Sequence, residues 1–397
     1  MKRAQCVALV CILLAFVSPA GAAEHPDLQL VAEAFAAIDQ HFVRPPEMTR
    51  LTVGALQGLE QALPSGFLHV ADNPAGPTVT WRPDAGKVDT ATFPVATSIS
   101  NALATVDAVY RTARRVAPDI PSDVLVSAML GQAVRRLDPR SSFIDRQTAT
   151  SLNRNGDWTA IDEGLAVPNR GVARPDAAQV QTMEGGIAHV RMGEVFSRRT
   201  VQEISAALAQ AQRGGMRAVI LDLRNGARST IPAAVELAEL FLKERQLICY
   251  TEGRTRQQNL IFTAHPPRRF LRGGGYPLIP MAILVDKKTA GGGELVAAAL
   301  QDWKRATVVG TATYGSSAIL RWIPLSDGSG VELTIAEWFS PKGRSLPSSG
   351  LMPDISVDTT TEAQPAGPDQ PGAAVANDAP LQRALLVLRA LMESSPK

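Results

Sequence analysis

From Leu28 to Leu63 apolar residues recur at helical spacing. Val31, Phe35, Ile38 and Phe42 share one face before Pro45 and Pro46 interrupt, and Leu51, Ala55 and Leu59 mark a second helix. Residues 64–94 are rich in proline, glycine and aspartate, and a short alternating piece, PTVTWRP, predicts a hairpin. Two more helices follow near 96–116 and 122–137, ending at LDPRSSFID. Residues 150–184 are polar and broken by glycine and proline, with GLAV as the one strand candidate.

From Gly186 the rhythm changes. A strand (IAHVRM) leads to a helix with Val201, Ile204, Leu208 and Ala211 in register, then to the strand AVILDL and the helix IPAAVELAELFLKE. Strands LICY and AILVD come next, followed by a helix with Leu295, Val296, Ala299 and Leu300 on one face. TVVG, LRWIPL and VELTIAEW close the series, and alternation of this kind predicts an α/β core with a largely parallel sheet. A Pro/Ala-rich linker (361–380) leads to a last amphipathic helix, LQRALLVLRALM.

The first residues, MKRAQCVALVCILLAFVSPAGAAEHPD, combine a basic start at Lys2 and Arg3, an apolar run from Val7 to Val17 and the small residues Ala20-Gly21-Ala22. These are the parts of a cleavable signal peptide, with an apolar run too short to span a bilayer. Periplasmic or secreted placement is the expectation, with no transmembrane segment after signal removal. Cys6 and Cys11 would leave with the signal, so Cys249 in LICY reads as a buried free thiol and no disulfide forms within the chain. The formal net charge of +2, with both signs interspersed, gives no basic patch for nucleic acid. No metal-ligand spacing such as HExxH is present, and no cofactor is implied.

One helix start is unusual. In DKKTAGGGELVAAALQDW three glycines, Gly291 to Gly293, stand where a capping side chain normally meets the free N–H groups. The segments around it carry a resemblance. AMLGQAVRRLDPRSSFID, GGIAHVRM, AVILDLRN, AILVDKKTAGGGE, IPLSDGSGVELTIAEWFSPKGRS, GLMPDISV and PLQRALLVLRAL are similar, in order and spacing, to segments of the C-terminal processing, or tail-specific, serine peptidases. The resemblance covers most of the chain after the signal. It implies an α/β fold with a ClpP/crotonase-like peptidase core, an N-terminal helical region and a C-terminal helix. The organisation expected is a signal peptide (1–23), a helical region (24–150), a linker in place of a PDZ domain (151–185), the α/β core (186–360), and the linker with the terminal helix (361–397). Asp145 and Gly186 are about 40 positions apart, too few for the PDZ module that the family carries there.

In that family the stretch matching DKKTAGGGE usually reads DKGSASASE, its middle serine being the nucleophile. A serine hydroxyl needs an adjacent amine to remove its proton, and that amine must be held neutral and in place. Carried over position by position, the nucleophile falls on Gly291, the general-base lysine on Ser316 and the orienting glutamine on Leu320. The oxyanion loop, Pro-Gly-Gly in the family, falls on Ala227, Arg228 and Ser229. The expectation is an exported, catalytically inactive pseudopeptidase that binds polypeptide or a partner protein in the cell envelope. Gly291, Gly292, Gly293, Arg228, Ser316 and Ser317 are the expected binding residues, with bare N–H groups at 291–293 able to receive a carboxylate. Glu294 is expected to complement the helix N-terminus electrostatically.

Two alternatives stay open. One is an active serine endopeptidase with a rearranged site, for which Thr289, Ser316 and Ser317 are the nearest hydroxyls, Lys287 and Lys288 the nearest amines, and His25, His41, His69, His189 and His265 the available imidazoles. The other is a structural subunit of an envelope complex, associating as a homo-oligomer through its terminal helices.

Overall fold

The computed structural model describes residues 25–84, 87–154, 158–161, 165–168, 178–265, 275–346, 349–357 and 378–394. The expected signal peptide and most of the Pro/Ala linker lie outside these residues. The chain divides into two compact units, one formed by residues up to Gly156 with Leu320–Thr334, the other by Asp157–Ile319 with Ile335–Lys397.

The first unit is built on four helices, α1 (Gln29–His41), α2 (Met48–Ala62), α3 (Ile99–Val116) and α4 (Ser122–Leu137). Their inward faces are apolar at helical spacing, and Phe35, Ile38, Leu51, Leu59, Tyr110, Leu125 and Met129 are fully buried. α2 and α4 meet backbone to backbone because α2 carries glycine at the crossing. A Cβ on Gly58 would overlap the Ala128 carbonyl, and one on Gly54 would lie 2.7 Å from Ala133 Cα. PTVTWRP forms a single strand rather than a hairpin: β2 (Thr78–Asp84) is the middle of a three-stranded sheet between β1 (Leu68–Ala71) and β3 (Lys87–Thr92). β4 (Ser142–Ile144) pairs antiparallel with residues 330–332, and α5 (Arg146–Arg154) follows it.

In the second unit, β5 (Trp158–Ile161) and β6 (Leu165–Pro168) pair antiparallel, and β7 (Gln179–Met183) pairs antiparallel with β8 (Ile187–Arg191). Thus β7, within the stretch expected to be a linker, is a strand of the main sheet. There follow α6 (Arg198–Arg213), β9 (Ala218–Asp222), α7 (Ile231–Glu239), β10 (Leu247–Gly253), β11 (Ile261–Thr263), β12 (Met281–Val285) and α8 (Gly292–Asp302). β13 (Thr307–Gly310), β14 (Ala318–Pro324), β15 (Gly330–Phe339), β16 (Ile355–Ser356) and α9 (Ala379–Ser394) complete the chain.

The main sheet has the order β16-β13-β12-β9-β8-β7, with all neighbours parallel except β7 and β8. β9 and β12 are buried at every position, the continuous apolar run expected of parallel strands covered on both faces. On one face α9 sets Leu381, Ala384, Leu385 and Leu388 against Ile187, Ile220 and Leu284. On the other, α6, α7 and α8 bring Leu208, Leu237 and Val296 into one core with Val219, Leu221 and Ile283.

LICY does not join this sheet. β10 pairs antiparallel with β11 and with residues 336–339, and its Ile248 and Cys249, with Trp338, enter the same core as α8. α8 is therefore enclosed, and every residue from Gly292 to Leu300 is buried. A helix apolar all round is stable only when covered on all sides. Cys249 is a buried free thiol, and burial raises its pKa to about 12.

Candidate functional site

The chain leaves β12, turns through Asp286–Ala290 and enters α8 at Gly291. The turn is locked by Asp286, whose Oδ1 accepts from the N–H of Lys288 at 2.9 Å and of Thr289 at 2.9 Å. Thr289 is fully buried, and its hydroxyl donates to the Leu223 carbonyl at 2.9 Å. This hydroxyl, one of the three weighed as a replacement nucleophile, is spent on the turn.

The three glycines are present for different reasons. Gly292 and Gly293 are demanded by space. A Cβ on Gly292 would overlap Ser229 Oγ, and one on Gly293 would lie 2.9 Å from the Ala227 carbonyl oxygen. Gly291 is demanded by backbone shape alone: its φ is 55° and its ψ −113°, while a Cβ there would meet nothing within 4 Å. A side chain at 291 would stand in open space.

Glu294 organises the helix start. It is fully buried, and its Oε2 accepts from the N–H of Gly291 at 3.0 Å and of Ser316 at 3.0 Å. Its Oε1 accepts from the Gly315 N–H at 2.7 Å and from the Thr313 hydroxyl. Because one oxygen holds both nitrogens at 3.0 Å, positions 291 and 316 come within about 6 Å of each other across 25 residues of chain. Burial raises the Glu294 pKa, and the four donated hydrogen bonds oppose that rise. The carboxylate does what a capping-box glutamate does from the third helical position, with glycine supplying no reciprocal side chain. One consequence corrects the sequence reading: the Gly291 N–H is not bare, since the chain's own carboxylate occupies it.

The loop after β9 closes another side. Asn225, Gly226 and Ala227 all have positive φ, at 66°, 132° and 47°. The Gly226 carbonyl accepts from the Ala290 N–H at 3.0 Å, which ties this loop to the α8 turn. Arg228 is half-buried; its guanidinium pairs with Glu194 Oε1 at 2.7 Å and its N–H donates to the Glu194 carbonyl at 2.9 Å. Ser229 donates its hydroxyl to the Thr230 carbonyl at 3.0 Å and packs on Gly292.

Positions 228, 229, 291, 292, 293 and 316 are thus brought together. Ser316 is half-buried beside the turn, whereas Ser317 is 1% exposed and hydrogen-bonds Ser345 Oγ at 3.1 Å. Ser317, expected as a binding residue, is buried with its hydroxyl paired to Ser345. Leu320 lies on β14 where the chain passes into the first unit. Lys287 and Lys288 are exposed. Of the five histidines weighed as partners, four have another contact: His25 accepts from Asp27 N–H, and His69, His189 and His265 face Glu60, Asp222 and Glu239.

Sequence reasoning missed a charged network below the same loop. Buried Asp222, at the end of β9, accepts from Arg224 Nε at 2.8 Å and Nη2 at 2.7 Å, and lies 3.2 Å from His189 Nε2. Arg224 reaches Asp378 at 2.8 and 2.7 Å, and Asp378 accepts from the Leu381 N–H at the start of α9. Burial would raise the Asp222 pKa, but the hydrogen bonds and charges of Arg224 and His189 hold it far below the usual carboxylate range. The signal available was DLR next to a strand end; its distant partner Asp378 has none.

With this geometry in view, comparison with known proteins is specific. Residues 186–357 match Peptidase family S41. A carboxyl-terminal-processing protease of Synechocystis is 34% identical over 186 residues, 46% of this chain and 41% of that protein. A carboxy-terminal-processing protease of Bartonella bacilliformis is 29% identical over 180 residues, 44% of this chain and 40% of that protein. The chain spans about two-fifths of the length of these relatives. In three dimensions the photosystem II D1 C-terminal processing protease shares the fold, with a TM-score of 0.51 at 16% identity, over 84% of this chain and 94% of that one. Residues 186–357 are therefore similar to peptidase family S41 and homologous to C-terminal processing proteases, within a mixed α/β fold. No helix among the described residues is long and apolar enough to cross a membrane.

Proposed function

We propose that this chain is a proteolytically inactive member of the tail-specific protease group, exported to the cell envelope, where it binds polypeptide or a partner protein. One observation carries the reading. Position 291, the nucleophile position by sequence resemblance, opens α8 with clear space for a side chain and has none. The base position, Ser316, is brought beside it through Glu294 and offers no amine. Amide hydrolysis needs a hydroxyl or equivalent nucleophile and a neutral base within hydrogen-bond reach, and the loss of the nucleophile alone typically costs many orders of magnitude in turnover. Burial of Thr289 and Ser317 speaks against a relocated serine-type nucleophile. The core being ClpP/crotonase-like and the PDZ module being absent belong to the same proposal.

An extended polypeptide can still be held without cleavage, since main-chain pairing to a strand edge does not use the nucleophile. The experiment is a binding and cleavage assay with an unfolded protein such as casein. The purified chain is expected to bind it without cutting, and Gly291→Trp, which fills the open space, is expected to abolish binding. Cleavage by the wild-type chain that disappears in Ser316→Ala would replace this reading with an active enzyme. Binding indifferent to Gly291→Trp would favour a structural role through another surface.

A further inference from the structure

At the far end of α8, about 16 Å along its axis from Gly291, lies a groove of different character. It has a volume of about 450 Å³ and opens between the α7–β10 turn, the residues before β12, the α8–β13 turn and α9. Its charged lining is one-sided. Lys243, Lys304 and Arg305 line it, and among the described residues no aspartate or glutamate does. Arg305 spends Nε on the Phe241 carbonyl at 2.8 Å and Nη2 on the Tyr276 carbonyl at 2.6 Å. Both partners are neutral carbonyls, and burial lowers the pKa of this guanidinium to about 10 with no compensating carboxylate. The rim is apolar: Leu278 is 80% exposed, Leu391 42% and Trp303 41%.

The backbone supplies an independent observation. α8 ends in a Schellman turn, with Arg305 N–H on the Leu300 carbonyl at 2.8 Å and Lys304 N–H on the Gln301 carbonyl at 2.9 Å. Lys304 takes the left-handed position at φ 52°, the place that glycine fills in most such turns. A side chain there costs roughly 1 kcal/mol. The chain accepts that strain and places a cation on the groove.

We propose that this groove docks an acidic, apolar segment of a partner polypeptide. Three lining cations, with no lining acid among the described residues, call for carboxylates. The exposed Leu278, Trp303 and Leu391 call for a ligand that covers the rim as well as the floor, which a small anion would not. The proposal rests on the reading that the chain acts by binding, and it places the partner at the opposite end of α8 from the cleft.

The test uses a short fluorescent peptide of leucines interspersed with aspartate and glutamate, a counterpart with lysine for each acid, inorganic phosphate, and phosphatidylglycerol vesicles. The acidic peptide is expected to bind, the basic one not. Lys243→Glu with Lys304→Glu is expected to weaken binding about tenfold or more, and raised salt to weaken it further. Leu278→Asp, at a position too exposed to disturb folding, is expected to do the same. Gly291→Trp is expected to leave this binding unchanged, which separates failure at the groove from failure at the cleft. Equal binding by wild-type and both groove variants would overturn the proposal. So would binding of vesicles without peptide, which would indicate a membrane surface, or binding of phosphate alone.

Discussion

The two ends of α8 differ in the residue that takes a positive φ. Each passes through a positive φ, 55° at Gly291 and 52° at Lys304. At the first the chain uses glycine, although a Cβ would meet only open space. At the second it keeps a lysine where glycine would be easier. Packing demands neither choice. Gly291 answers to its backbone, whose φ of 55° with ψ of −113° suits glycine, whereas Lys304 keeps a side chain in a turn that glycine usually fills. Under the proposed reading the first end is a site relieved of its chemistry and the second a site in use.

The largest effect that sharpens this contrast is expected from Glu294→Ala. It strips the acceptor from the buried N–H groups of Gly291, Gly315 and Ser316, and should cost about 3–4 kcal/mol in denaturant unfolding. Next is acid. The Asp222 pKa is lowered in the folded chain, so its stabilisation is present above the unfolded value near 4 and is lost as pH falls below it. That loss is on the order of 2 kcal/mol. Thermal unfolding followed from pH 6 to pH 2 should show it, and Asp222→Asn should flatten the slope.

Gly292→Ala drives a Cβ into Ser229 and should destabilise by about 2 kcal/mol, a cost that Ser229→Gly in the same chain should relieve. Gly291→Ala meets no neighbour and should cost about 1 kcal/mol of backbone strain, with no relief from Ser229→Gly. Equal costs at 291 and 292 would erase the distinction drawn between them. The smallest effect has the opposite sign. Lys304→Gly should stabilise by about 1 kcal/mol while weakening capture of the acidic peptide.

Much of the scaffold was legible in the sequence. The helices in 28–63, 96–116 and 122–137 and the alternation after Gly186 showed in apolar periodicity, because burial of one face leaves that imprint. Short strands were missed: β1, β3, β4, β7 and β11 are three to six residues long and are defined by pairing with distant partners. LICY was read as a strand, but its sheet is set by residues 336–339, which no local pattern reveals. The convergence of 228, 291 and 316 followed from the family resemblance, while spacing alone gave no hint. Glu294 illustrates the limit. Its place at the third position of a helix announced a capping role, yet its bonds to Thr313, Gly315 and Ser316 appear only once the turn is folded against it. The basic groove was invisible for the same reason, since its cations come from segments about 60 residues apart.

The central claim is the absence of peptide-bond chemistry at the start of α8. Its most direct test compares the purified wild-type chain with the triple variant Gly291→Ser, Ser316→Lys, Leu320→Gln on an unfolded protein, with contaminating hydrolases excluded. The expected result is no cleavage and no labelling by an active-serine reagent for wild type, and recovered cleavage for the triple variant. Cleavage by the wild-type chain, sensitive to that reagent, would contradict the account.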